Sequence, residues 1–341
     1  MTQECPIDAS PGYRRILVAM DFSASAEAAL KQAVWLARDF GSKVTLAHTL
    51  PSFRRAVESA SYLAKVDLLY GEGSVFHREV RQESEARLQR MIVDQGITDL
   101  NVKVETLIGT PYVEITHAVQ SEHYDLVLAG TRGLAAWEQF FVGSTAKQLL
   151  RMCPSSVWIT NAGYAEPPKS VLATTDFSDA SRRAVLEGMW VAKQASAQFH
   201  LLHVIDALDV PEQILFANEA ASSVRHEINE EATRRLEAFV ESLNTDCERV
   251  QRHLTWGTPW QEVNRLAKHL KVDLITMGTV GRTGIKGAFL GNTAERVLGT
   301  CDCGILTAKP EEFVSPVMPA FWALHPGQKQ GELDSMAKEP R

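Results

Sequence analysis

Two glycine clusters carry the chain's clearest chemical signal. Gly130-Thr131-Arg132-Gly133 is followed by nine residues and then Gly143-Ser144-Thr145. Gly278-Thr279-Val280-Gly281 is followed by nine residues and then Gly291-Asn292-Thr293. In each case a short apolar run ends in glycine, a loop follows, and a second glycine opens a segment of helical character. Glycine lets a backbone approach a ligand that a Cβ would keep away. The unpaired N–H groups at a helix start bind phosphate, aided by the helix dipole. Ser144 and Thr145 add hydroxyls. The chemistry implied is phosphate binding, and the alternative is that the glycines only turn the chain. Repetition at identical spacing favours binding.

The elements around the glycines are also written twice. RRILVAMDFS from Arg14 matches KSVLATTDFS from Lys169, so Asp21 corresponds to Asp176. Trp35 and His48 correspond to Trp190 and His203 in the same register. Gly109-Thr110-Pro111 matches Gly257-Thr258-Pro259, and HYDLVLAGTRG from His123 matches KVDLITMGTVG from Lys271. Such a period is the signature of a duplicated structural unit. Within the first copy, Ile16–Met20, Val44–Leu50, Val102–Leu107, Leu126–Ala129 and Val157–Ile159 read as buried strands. Ala26, Ala29, Leu30, Ala33, Val34 and Ala37 form one helical stripe between Ser23, a good N-cap, and Gly41. Val224, Ile228, Leu236, Phe239, Val240 and Leu243 mark a long amphipathic helix in the second copy; its counterpart is interrupted at Gly71-Glu72-Gly73. Alternating strands and helices predict an α/β fold, two tandem doubly wound parallel-sheet domains. Residues 10–162 and 167–310 are the expected domains, joined by a linker rich in turn formers. Residues 311–341 are expected to form a disordered tail.

Composition narrows the functional classes. The 341 residues are 45% hydrophobic and 23% charged, as in ordinary globular proteins. A net charge of −7 disfavours nucleic acid and anionic membrane as partners. No apolar run approaches the ~18 residues of a membrane span, and the N-terminus lacks a signal-peptide pattern, so a cytoplasmic location is expected. Five cysteines do not read as a disulfide framework, and Cys301-x-Cys303 lacks the further ligands that zinc requires. His48 and His203 read as core histidines, and Trp35 and Trp190 as packing residues. No Ser-His-Asp context, zinc spacing or Walker motif is present, and no general base stands beside the glycine loops, which argues against an efficient enzyme.

The G-x-x-G, nine residues, G-[S/T] pattern resembles the ATP-binding motif of the universal stress protein family. The aspartate after strand one and the histidine on strand two fit that family too. The resemblance covers residues 10–310 and implies a Rossmann-like five-stranded sheet of order 3-2-1-4-5. Asp21 and Gly130 then meet at the strand-order reversal, where open α/β sheets bind ligands. By the same resemblance, Asp21 and Thr49 face the adenine. Gly130, Arg132 and Gly133 contact ribose and phosphate, and Gly143, Ser144 and Thr145 cradle phosphate. The second copy offers Asp176, Val204, Gly278, Gly281, Gly291, Asn292 and Thr293. Asn292 departs from the usual Ser or Thr, and the loop 134–142 has Glu138 but no Lys or Arg, whereas the second loop has Arg282 and Lys286. The implied cofactor is ATP or another adenine nucleotide, with or without Mg. The implied role is stress-response regulation through protein partners. The alternatives are an interaction protein that binds no nucleotide and, third, a slow ATP hydrolase. Single-domain relatives pair through their last strands, so Val157 and Ile305 are expected side by side in an internal pseudo-dimer, with further homodimerisation open.

Overall fold

The computed structural model describes residues 12–50, 75–131, 142–206, 219–243, 250–279 and 290–318. In the first repeat the order is β1 Arg15–Met20, α1 Ala24–Phe40, β2 Lys43–Leu50, α2 Val75–Asp94, β3 Val102–Ile108, α3 Pro111–Glu122, β4 Leu126–Gly130, α4 Ser144–Met152 and β5 Ser156–Thr160. The second repeat has β6 Ser170–Thr174, α5 Asp179–Gln194, β7 Gln198–Asp206, α6 Glu219–Ser242, β8 Val250–Gly257, α7 Pro259–His269, β9 Leu274–Gly278, α8 Asn292–Thr300 and β10 Gly304–Ala308. Gly71-Glu72-Gly73 lies outside the described residues.

All ten strands join one sheet, in the order β3-β2-β1-β4-β5-β10-β9-β6-β7-β8. Each half reads 3-2-1-4-5, and every pairing within a half is parallel. The halves meet where β5 and β10 run antiparallel, with Ile305 opposite Ile159, Leu306 opposite Trp158 and Thr307 opposite Val157. Trp158 and Leu306 occupy equivalent repeat positions, so the pseudo-twofold axis passes through that pair, perpendicular to the sheet. The expected pairing of the last strands is therefore observed.

That symmetry keeps equivalent helices on the same face. One apolar layer joins Leu30 of α1, Leu88 of α2, Val185 of α5 and Leu236 of α6 with Trp158 and Leu306. The other joins Ile115 of α3, Leu149 of α4, Val263 of α7 and Val297 of α8 with Val157 and Ile305. Strands buried on both faces explain the continuous apolar runs of the sequence. Val224, placed in the expected stripe of α6, is 37% exposed.

A polar cluster crosses the seam. Glu187 of α5 is buried and accepts hydrogen bonds from Tyr13 Oη at 2.9 Å, Ser156 Oγ at 2.7 Å and Arg183 Nε at 3.2 Å. Two of these donors belong to the first repeat. Burial raises the Glu187 carboxyl above its ordinary range despite these partners. Of the expected tail, residues 311–318 run back across the first repeat. There Gln120 Nε2 donates to Val317 O at 3.1 Å, and His117 Nε2 bonds Met318 O at 2.7 Å. Among the described residues no helix is long and apolar enough to cross a membrane.

Candidate nucleotide site

The first repeat reverses its strand order between β1 and β4, which leave the sheet side by side with helices on opposite faces. Beyond β1 the chain must turn sharply into α1. Asp21 Oδ1 accepts hydrogen bonds from Ser23 N at 3.0 Å and Ser23 Oγ at 2.5 Å, and Ser23 Oγ in turn accepts from Ala26 N at 3.2 Å. Phe22 between them adopts φ 64°, a left-handed conformation that is uncommon for a bulky residue. Its ring stacks on His48 at 4.7 Å, with the Arg87 guanidinium 3.8 Å from its centroid. The second repeat copies this turn at Asp176, Phe177 and Ser178. One oxygen of Asp21 is therefore structural. Its Oδ2 accepts no hydrogen bond among the described residues.

A cavity of about 230 Å³ opens at this reversal. Asp21, Thr49, Gly130, Gly143, Ser144 and Thr145 all line it. Six of the eight residues expected in this repeat thus converge. The other two, Arg132 and Gly133, lie outside the described residues. Thr131, His48, Pro111 and Ile115, which the sequence did not assign to the site, also line the cavity. The signal for Thr131 was present: it occupies the second position of the glycine cluster. Its N–H donates to Thr160 O at 2.8 Å, and its carbonyl accepts from Gly143 N at 2.7 Å, so it fastens the loop to the start of α4. His48 Nδ1 bonds Met20 O at 2.6 Å, as a structural histidine does, yet the residue reaches the cavity wall.

The start of α4 is left open. Gly143 is the N-cap, with φ −60° and ψ 154°, and no side chain caps the helix. With Gly143 N committed to Thr131, the first-turn N–H groups of Ser144, Thr145 and Ala146 have no partner among the described residues, beside the cavity they line. Two further polar atoms of the cavity wall, Thr49 Oγ1 and Thr131 Oγ1, are buried without a partner. Such orphans are uncommon in native proteins and call for a ligand or water. A group with anionic oxygens and polar edges fits this donor set.

The glycines differ in their reasons. A Cβ on Gly130 would come within 2.8 Å of Ala26 N and 2.5 Å of Ser25 Oγ, so the packing of α1 on β4 requires glycine there. Among the described residues, a Cβ on Gly143 would meet only Thr131 O, at 3.4 Å, which is ordinary contact. Gly278 and Gly291 repeat the contrast, with a backbone clash at 2.8 Å and a single contact at 3.4 Å respectively. Helix packing therefore accounts for the first glycine of each cluster and not for the last.

The second repeat keeps the backbone and changes the wall. Asp176 follows β6, Gly278 ends β9, Gly291 caps α8, and Asn292 and Thr293 begin that helix. Asn292 is the first helical residue, and the cap is Gly291. Val204 stands at the Thr49 position and borders another groove of about 330 Å³ with His203, Asp206, Ile228 and Arg235. Thr279, the counterpart of Thr131, donates its hydroxyl to Ala308 O at 3.3 Å. Gly281, Arg282 and Lys286 lie outside the described residues.

Comparison with known proteins agrees with this architecture. The profile of the universal stress protein family matches residues 12–161 and 168–309. Universal stress protein E of Escherichia coli K12 is 28% identical over 324 residues, covering 89% of this chain and 96% of that protein. The Salmonella typhi protein of the same name is 27% identical over 314 residues, covering 89% and 97%. Among solved structures, a universal stress protein from Archaeoglobus fulgidus superposes with a TM-score of 0.59 at 18% identity, over 87% of this chain and 99% of that one. Two matched units, a parallel-dominated sheet and similarity over most of the chain lead to one conclusion: the chain belongs to the universal stress protein family.

Proposed function

We propose that the first repeat binds an adenine nucleotide, ATP in the simplest case, and that the protein acts as a nucleotide-responsive regulator through protein partners. The observation that carries this is the uncapped start of α4 opening into the cavity that also holds Asp21 and Thr49. Phosphate oxygens accept from the Ser144, Thr145 and Ala146 N–H groups, where the helix dipole favours negative charge. The base lies toward Asp21 and Thr49, and Asp21 Oδ2 accepts from an exocyclic amine. Magnesium accompanies the phosphates from solution. No group of three or more metal-binding side chains occurs among the described residues. The reading is one of binding rather than turnover.

The second repeat supports a different role. Replacement of the Thr49 hydroxyl by Val204, and satisfaction of the Thr279 hydroxyl within the protein, remove two polar features of the first cavity. We read it as the partner repeat that supports the nucleotide-binding one. The test is titration calorimetry of the purified full chain with ATP, alongside mass spectrometry of nucleotide released on denaturation. One adenine nucleotide per chain is expected. No binding at millimolar ATP would leave the interaction-protein alternative.

A further inference from the structure

Helix α4 has nine residues and a length of about 13 Å. Its N-terminus faces the proposed phosphate position. Its C-terminus is held by the other repeat. Lys309 follows β10 and is 1% exposed; its Nζ donates to Leu150 O at 2.5 Å and Arg151 O at 3.1 Å. The Phe313 ring centroid lies 4.3 Å from the ammonium. Arg151 also pairs with Glu295 of α8 at 2.6 Å. Burying a lysine stem and its ammonium is unfavourable, since it sacrifices side-chain entropy and strips hydration. A surface lysine would avoid both penalties. Here the cation saturates two terminal carbonyls and complements the dipole of that one helix.

The pseudo-twofold places Asn161 at the equivalent position, directly after β5. Its Nδ2 donates to Asp302 O, just beyond the end of α8. Each glycine-led helix is therefore held at its C-terminal end by the residue that follows the other repeat's last strand. The two clasps differ: the first repeat receives a buried charge, and the second a neutral amide. The charged clasp serves the helix with the open cavity at its other end. A helix of two and a half turns moves as a rod, and site geometry tolerates only about 0.5 Å of displacement.

We propose that Lys309 is a positioning residue for the nucleotide site of the first repeat, coupling the last strand of the second repeat to the phosphate-binding end of α4. This rests on the nucleotide reading above. It gives the tandem arrangement a role: the second repeat sets the affinity of the first. Linkage makes the effect reciprocal, so nucleotide at one end of α4 tightens the Lys309 clasp at the other.

The test uses the full chain. Lys309→Met keeps the stem and removes the ammonium; ATP affinity by calorimetry is expected to fall about fivefold or more. Asn161→Ala, which alters the clasp on α8, is expected to leave that affinity unchanged. In the wild-type protein, acylation of the Lys309 amine, followed by peptide mass spectrometry, is expected to slow severalfold on adding ATP. This second measurement stands even if the methionine variant folds poorly. Wild-type ATP affinity in a folded Lys309→Met protein, or Lys309 labelling indifferent to ATP, overturns the coupling alone. Absence of ATP binding in the wild type overturns the nucleotide reading and the coupling together.

Discussion

Replacing Gly143 with valine separates a ligand-binding glycine from a turn-forming one. The backbone at Gly143, φ −60° and ψ 154°, is open to any L-residue. Among the described residues the new Cβ meets only Thr131 O, at 3.4 Å. A β-branched residue is a poorer N-cap than glycine by up to about 1 kcal/mol. Losing glycine's freedom in the unfolded chain returns about 0.4–1 kcal/mol. The net change in stability is thus within about 1 kcal/mol, and the melting temperature shifts by no more than about 4 °C. The isopropyl group, however, points into the cavity beside the Ser144 and Thr145 N–H groups. Displacing the phosphate from one such charge-assisted hydrogen bond loses about 1.5–3 kcal/mol, or about 10- to 100-fold in Kd. Calorimetry with ATP and thermal melting, run on one preparation, give both numbers. A variant that melts normally and binds ATP as the wild type does refutes the proposed phosphate position. A variant that loses several kcal/mol of stability instead shows Gly143 to be a folding residue.

Gly130→Ala should behave in the opposite way, because its Cβ is driven to 2.8 Å from Ala26 N; a stability loss of about 1–3 kcal/mol in urea is expected, and unchanged stability would mean that α1 moves aside freely. Glu187→Ala strands the Tyr13 and Ser156 hydroxyls at the seam between repeats and should lower stability by about 1–3 kcal/mol for each, whereas a loss under 1 kcal/mol in denaturant titration would show the cluster to be dispensable. The pair His200 and His253, with Nδ1 and Nε2 3.1 Å apart, predicts acid sensitivity. Burial lowers both imidazoles, and His253 lowers His200 further. The native state therefore resists protons that the unfolded chain accepts near pH 6.5. Stability from this source is intact above that pH and is lost as pH falls below it. Melting temperatures between pH 7.5 and 5 should decline more steeply in the wild type than in His200→Gln; parallel profiles would remove the pair from the account.

The strands, the helices and the duplication were legible in the sequence because their signals are local. A buried parallel strand is a short apolar run, a packed helix is a stripe of 3.6-residue period, and a repeat is an offset that keeps Asp21 with Asp176 and Gly143 with Gly291. The spacing of the first glycine cluster likewise pointed to Gly130, Gly143, Ser144 and Thr145, which share one cavity with Asp21 and Thr49, the two that the family resemblance supplied. Spacing could not say why each glycine is there. Gly130 and Gly143 read alike as letters, and only the approach of α1 to β4 reveals that one is required by packing while the other leaves room. The pairing of β5 with β10 followed from family resemblance, since an apolar strand does not name its neighbour. Residues 317 and 318 bond to Gln120 and His117 of α3, anchors on which polar composition is silent, while residues 319–341 of the expected tail lie outside the described residues. Nothing near Glu187 or Lys309 in the sequence announced a buried charge. Their partners lie up to 174 residues away, and tertiary structure alone brings those carbonyls and hydroxyls within reach.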